Sequence, residues 1–225
     1  MALQIQPTLS PKNDSISPTV AEVNLGVLAQ NFKAIRVRVA PARTMLIVKA
    51  NAYGHGMIEV ARRLEAESDS LGVALLAEGI DLRRAGIVKP ILVFGGFIPE
   101  QVLSYIQYGI SFSVSSVHLL EEIDQAAQAL RTRASVHLKI DTGMGRMGAQ
   151  YFEAEPLLAA ALNCRSVNVD GIYSHFANAD APDLIHARLQ LERFNEVLGF
   201  YERHSLPAPV RHMANSAAIL QLPES

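Results

Sequence analysis

The sequence predicts an α/β fold built on a parallel sheet, in the arrangement of a TIM-type (β/α)8 barrel. Three observations point there. Short apolar runs alternate with longer amphipathic stretches about seven times along 225 residues. No hairpin signal joins one apolar run to the next, so each return requires a helix. The runs are apolar on both faces, as strands covered on both sides must be. An open doubly wound sheet shares this alternation. The barrel needs eight strands, and the count reaches about seven, so the expectation is an incomplete barrel without its eighth strand.

The elements follow in order. Residues 21–40 (AEVNLGVLAQNFKAIRVRVA) begin with a brief strand pattern and become helical, with Leu25, Leu28, Phe32 and Ile35 at helical spacing. TMLIVKA (44–50) reads as strand and GMIEVARRLEAE (56–67) as helix. LGVALL (71–76) is strand, and AEGIDLRRAG (77–86) is a helix closed by Gly86. PILVFGG (90–96) is strand, and PEQVLSYIQYG (99–109) is a helix with Pro99 near its start and Gly109 at its end. ISFSV (110–114) is strand, followed by a serine-capped helix over 115–131. ASVHLKID (134–141), VNVDGIYSH (167–175) and APVRHMAN (208–215) are strands. Helices are predicted over 153–164 and 183–204, with a short one opening at Ser216.

Composition narrows the function. The chain is 49% hydrophobic with a formal net charge of −2, ordinary for a globular protein. It offers no basic stripe for nucleic acid or anionic membranes. A single cysteine, Cys164, precludes an internal disulfide and fits a reducing cytoplasm. Residues 1–18 are polar, carry Pro7, Pro11 and Pro18, and lack a signal-peptide pattern. They are expected to be a disordered leader, with the barrel domain over 19–225. No apolar run reaches the ~18–20 residues of a membrane span.

Ligands of parallel α/β folds sit at the carboxyl ends of the strands. Lys49 stands there, after Met45-Leu46-Ile47-Val48 and before the glycine-rich NAYGHG. A lysine desolvated at such a place favours its neutral, nucleophilic amine, which suits a Schiff base with a carbonyl. That chemistry serves either direct attack on a keto substrate, as in class I aldolases, or attachment of pyridoxal 5′-phosphate (PLP). PLP also needs a phosphate site, for which Tyr53 and the pair Asn215-Ser216 are candidates. Ser216 is equally suited to capping the last helix.

DTGMGRMG (141–148) contains Gly143-x-Gly145-x-x-Gly148, a dinucleotide fingerprint by pattern, with Asp170 near the spacing of a ribose-binding acid. An arginine inside the loop and the lack of a clean helix after it argue against that reading. The alternative is a close-approach loop from which Arg146 reaches a carboxylate or a phenolic oxygen. His175, at the end of VNVDGIYSH, is placed for a catalytic or supporting role. His55, His175 and Asp141 share no ligand-like spacing, so no metal site is expected.

Four segments together resemble one family. VKANAYGHG, KIDTGMGRMG, YSHFANAD and HMANSAA are similar, in that order, to signature stretches of the bacterial alanine racemase barrel domain, over about residues 18–223. The resemblance implies a PLP-dependent isomerase that interconverts L- and D-alanine for cell-wall peptidoglycan, cytoplasmic and homodimeric. It implies that Lys49 carries PLP and is the base on one face. It assigns Tyr53 and Ser216 to the phosphate, and Arg146 to the phenolic oxygen and the substrate carboxylate. His175 falls in a hydrogen-bonded chain behind the site. Lys139 matches a lysine that is carbamylated in some members. The family's second acid–base group is a tyrosine on a C-terminal β-domain supplied by the partner subunit. That β-domain is absent here, so this chain alone is expected to racemise poorly. Small PLP-homeostasis barrels, which lack a β-domain, are the alternative, although their lysine and glycine segments read differently.

Overall fold

The repeated strand–helix alternation resolves into an arc of parallel strands with helices outside. The computed structural model describes residues 20–225; the leader expected over 1–18 lies outside them. The strands are β1 (Met45–Ile47), β2 (Ser70–Val73), β3 (Ile91–Val93), β4 (Phe112–Val114), β5 (Ala134–Asp141), β6 (Ala149–Gln150), β7 (Val167–Tyr173) and β8 (Val210–His212). The pairings β1-β2-β3 and β4-β5-β7-β8 are all parallel. A bridge between Leu92 and Ser111 joins the two runs. The fold is thus a partial TIM-type barrel of seven strands in sequence, with β6 a short addition on β5. Among the described residues no strand lies between β8 and β1.

The helices are α1 (Leu25–Val39), α2 (Lys49–Tyr53), α3 (Met57–Leu64), α4 (Leu76–Arg84), α5 (Val102–Gln107), α6 (Val117–Ala129), α7 (Glu155–Asn163), α8 (Ile185–Arg203) and α9 (Ser216–Gln221). Their ends follow local chemistry. The Asn24 side chain accepts from Val27 N at 3.0 Å and starts α1. That cap is why the brief strand expected at the start of 21–40 does not form. Ser116 caps α6 through Leu119 N at 3.3 Å, as its sequence predicts. The strand expected over 71–76 stops at Val73, because the Glu78 carboxylate takes the N–H groups of Ala74 and Leu75 and turns the chain into α4.

Strand residues such as Leu71, Val73, Ile91, Val93, Val136, Leu138 and Ile140 are fully buried, and the helices meet them with Leu64, Leu82, Leu120 and Ile123. Each such side chain is worth about 1.5–3 kcal/mol relative to exposure. Tyr105 of α5 stacks on Phe112 of β4 with ring centroids 4.2 Å apart.

At the amino-terminal rim a single arginine ties strand entries together. Arg83 donates to the carbonyls of Tyr108, Ile87, Lys89 and Gly109, at 2.7–2.9 Å. Hydrogen bonds from a charged donor contribute more than neutral ones, and an ammonium cannot reproduce the guanidinium fork. Arg83→Ala is therefore expected to destabilise the chain by about 3 kcal/mol, and Arg83→Lys to recover less than half of that. Urea unfolding midpoints at constant slope measure both.

Candidate active site

Because every strand runs the same way, the residues that follow them share one rim: Lys49 after β1, Ala74 after β2, Thr142 after β5, Ser174-His175 after β7 and Met213 to Ser216 after β8. Lys49 opens α2, whose next four residues are left-handed. Ala50, Asn51, Ala52 and Tyr53 have φ of 52°, 55°, 52° and 55°. For L-residues this conformation costs roughly 1–2 kcal/mol each, so surrounding contacts must impose it. Two side chains do. Glu78 Oε1 accepts from Ala50 N at 2.6 Å, and Asn51 Oδ1 accepts from Met57 N at 2.8 Å. The Lys49 amine lies 5.9 Å from the centre of the Tyr53 ring. Lys49 itself is half-buried.

The most deeply enclosed cation of this rim is instead Lys139, 8% exposed near the end of β5. Its amine lies 4.5 Å over the Tyr173 ring. Burial pulls its pKa down to about 7, the nearby Arg146 adds to that, and Asp141 partly opposes it. Below Lys139 the interior is polar and fully organised. The Tyr173 and Ser113 hydroxyls bond at 2.6 Å, and Tyr173 stacks on His212 at 4.7 Å. His212 Nε2 meets His137 Nδ1 at 2.8 Å. The two histidines reach each other across β7 because Gly171, the register partner of His137, has no side chain; a methyl there would overlap the His137 ring. Burial pushes Tyr173 up to about 12. With its hydroxyl committed to Ser113, Tyr173 supports the site from beneath rather than titrating in it.

The loop after β5 is fixed by Asp141, whose carboxylate accepts from the N–H groups of Gly143, Met144 and Gly145. Burial works to raise its pKa, but those N–H bonds and Lys139 outweigh it and hold the carboxyl below its ordinary range. Gly148 has φ +130°, and a Cβ there would come within 2.5 Å of Asp141 N. Gly148 thus serves close backbone approach, and β6 follows in place of a helix; the dinucleotide reading fails on that geometry. Asp170, exposed on β7, is not at the rim. Gln190 of α8, fully buried, donates to His175 O and Thr142 Oγ1 and accepts from Ala177 N, locking the loops after β5 and β7 together.

Electrostatics shows which groups meet. Burial, and after it the charges of Lys139, Arg146 and Lys49, together lower His175 to about 4. Those three cations and His175 therefore share one mouth. Asp141 sets one negative charge against Lys139, while neither Lys49 nor Arg146 forms an ion pair with a carboxylate among the described residues, so both are open to anionic groups. Tyr53 is exposed beside Lys49. Asn215, not Ser216, caps α9, accepting from Ala218 N at 2.9 Å. This corrects the capping role considered for Ser216, which is exposed at the first position of the helix. Glu78, Gln190, Ser113, His137 and His212 carry no sequence signal of a role here; only the mid-strand Gly171 marks a close approach, and Tyr173, whose strand-end address suggests a second acid–base group, is instead bonded to Ser113. No cluster of metal-ligating side chains occurs among the described residues. A broad groove on the outer face beside α1 lies far from every strand carboxyl end and carries none of this chemistry.

Fold and site define a class: a TIM-type barrel with a lysine after its first strand and further cations at the same carboxyl rim. The model of the alanine racemase N-terminal domain matches residues 23–225, and the chain belongs to the alanine racemase family. It is 45% identical to the alanine racemase of Desulforamulus reducens over 213 residues, covering 92% of this chain and 57% of that one. It is 42% identical to that of Carboxydothermus hydrogenoformans, covering 92% of this chain and 56% of the relative. The solved alanine racemase of Clostridium difficile 630 superposes with a TM-score of 0.85 at 32% identity, over 90% of this chain and 54% of that one. The chain thus spans a little over half the length of these relatives. The family depends on pyridoxal 5′-phosphate.

Proposed function

We propose that this chain is the PLP-binding barrel of an enzyme that interconverts L- and D-alanine, in the cytoplasm and as a homodimer, to supply D-alanine for peptidoglycan. What supports the reading is the placement of Lys49 after β1, Lys139 near the end of β5, Arg146 in the loop after β5 and His175 after β7, all on the carboxyl rim of parallel strands. Three cations around one histidine fit a cofactor that bears a phosphate and a phenolate and a substrate that bears a carboxylate. Lys49 would hold the group through its amine. Tyr53, Ser216 and Asn215 would meet the phosphate, and Arg146 would bind the phenolic oxygen and the alanine carboxylate. Bound there, the cofactor supplies an electron sink that acidifies the Cα proton of an attached amino acid. Lys49 takes or returns that proton on one face.

Inversion needs a second acid–base group on the opposite face. Tyr173 is committed to Ser113; likeness to alanine racemases implies that the group is a tyrosine of a partner subunit's C-terminal β-domain, and these 225 residues alone should racemise poorly. Lys139 is proposed as a carbamylation site. Its depressed pKa leaves much of the amine neutral near pH 7, the form that adds to carbon dioxide. The carbamate would turn a cation beside Arg146 into an anionic partner.

The deciding experiment is the visible spectrum of the purified chain with PLP, before and after borohydride, followed by peptide mapping. A reduced adduct at Lys49 supports the reading; an adduct elsewhere, or none, overturns it.

A further inference from the structure

We propose that Glu78 is the positioning residue of Lys49: by binding the backbone beyond β1 and beyond β2 together, it holds the left-handed turn that presents the lysine to the mouth. The inference rests on the role proposed for Lys49.

The geometry is specific to a carboxylate of this length. Glu78 Oε1 accepts from Ala50 N at 2.6 Å, while Oε2 accepts from Ala74 N at 2.8 Å and Leu75 N at 3.0 Å. All partners are donors, so both oxygens must be acceptors. Glutamine would turn an NH2 group toward one set of N–H groups and lose it. Aspartate, shorter by a methylene, cannot span both strand ends from α4.

The turn needs such a restraint. No glycine occupies positions 50–53 to relieve the left-handed backbone, and the first glycine follows at Gly54 with φ +89°. The Ala50 N–H comes directly after Lys49, so freeing it lets the chain revert toward right-handed geometry and swings the lysine off the strand axis. Asn51 secures the far end of the turn on α3 and leaves Ala50 to Glu78 alone.

A control separates positioning from ordinary stabilisation. Glu65, near the entry to β3, also bridges two backbone amides, accepting from Val88 N at 2.6 Å and Lys89 N at 2.9 Å. Its loss weakens the fold without touching the mouth.

The test compares the unsubstituted chain with Glu78→Ala, Glu78→Gln, Glu78→Asp and Glu65→Gln. Two quantities are read: amide hydrogen exchange at Ala50, Ala74 and Leu75, and the rate at which PLP becomes borohydride-trappable at Lys49. In Glu78→Ala, exchange at Ala50 should rise at least tenfold and the trapping rate fall at least tenfold. Glu78→Gln should recover part of the trapping rate, and Glu78→Asp less. Glu65→Gln should leave both quantities within twofold while lowering the melting temperature. Unchanged Ala50 exchange in Glu78→Ala overturns the clamp whatever happens to PLP. A trapping rate within twofold of the unsubstituted chain overturns the positioning role. Failure of the unsubstituted chain to trap PLP at Lys49 while Ala50 exchange responds overturns instead the reading of Lys49.

Discussion

Lys49→Ala is expected to abolish trapping of PLP at the mouth and, where the second acid–base group is present, to lower racemisation of alanine by at least about a thousandfold. The proposed mechanism asks two things of this one amine: holding the cofactor and moving a proton on one face. Neighbouring cations do not replace it. Lys139 is enclosed against Tyr173, and Arg146 is always charged and has no nucleophilic lone pair. Lys49→Arg sharpens the test, because it preserves charge while removing the neutral amine. It should be as inactive as alanine in trapping while still binding phosphate-bearing analogues more tightly than Lys49→Ala does. Trapping by the arginine variant at more than a tenth of the original stoichiometry would show that another amine does the chemistry. The readouts are adduct stoichiometry by mass spectrometry and D-alanine formed from L-alanine.

What the sequence disclosed and what it hid differ in range. The rim positions of Lys49 and His175 were legible because strand periodicity alone says where a strand ends, and in a parallel sheet all strand ends share a rim; Arg146 was legible only as a member of the glycine-rich loop that follows β5. The strand order followed for the same reason. Glu78 was not legible. Its partners at 50, 74 and 75 are backbone atoms, and a glutamate near the start of a helix looks like an ordinary first-turn acid. The left-handed run over 50–53 carries no glycine, so no local signal announces it; side chains distant in sequence impose it. The His137–His212 contact spans 75 residues and exists only because β7 lies between their strands and has a glycine there. The argument that Lys49 is desolvated used only its neighbours in sequence. In three dimensions the enclosed lysine is Lys139, which faces the interior from β5 while Lys49 sits on the rim.

That buried interior should make the fold acid-labile well above carboxylate pKa values. Burial lowers His175 to about 4 and holds His137 and His212 well below the ordinary histidine value of 6.5. Lys139 reinforces the shift at His175 and His212, while Asp170 partly opposes it at His137. The His137–His212 bond needs one ring as donor and the other as acceptor, so the pair cannot take up two protons and keep it. Between pH 6.5 and about 4 the unfolded chain therefore binds protons at these three sites that the folded chain refuses. The unfolded state then binds more protons, and stability must fall as pH falls through this window. Lys139 acts with the same sign in a higher window. Its pKa is about 7 folded against 10.5 unfolded, so stability falls as pH drops from 10.5 toward 7 and the penalty is fully present below 7. The combined loss from pH 9 to pH 4.5 is on the order of several kcal/mol. Urea midpoints across that range should decline steadily. His212→Asn with His137→Gln should flatten most of the acid limb between pH 6.5 and 4.5 and leave the share of His175, whereas Lys139→Met should flatten the limb between 9 and 7 and make the acid limb shallower without abolishing it. A stability plateau from pH 9 to 4.5 in the unsubstituted chain would mean that these side chains are solvated, and the packed polar interior beneath the mouth would be wrong.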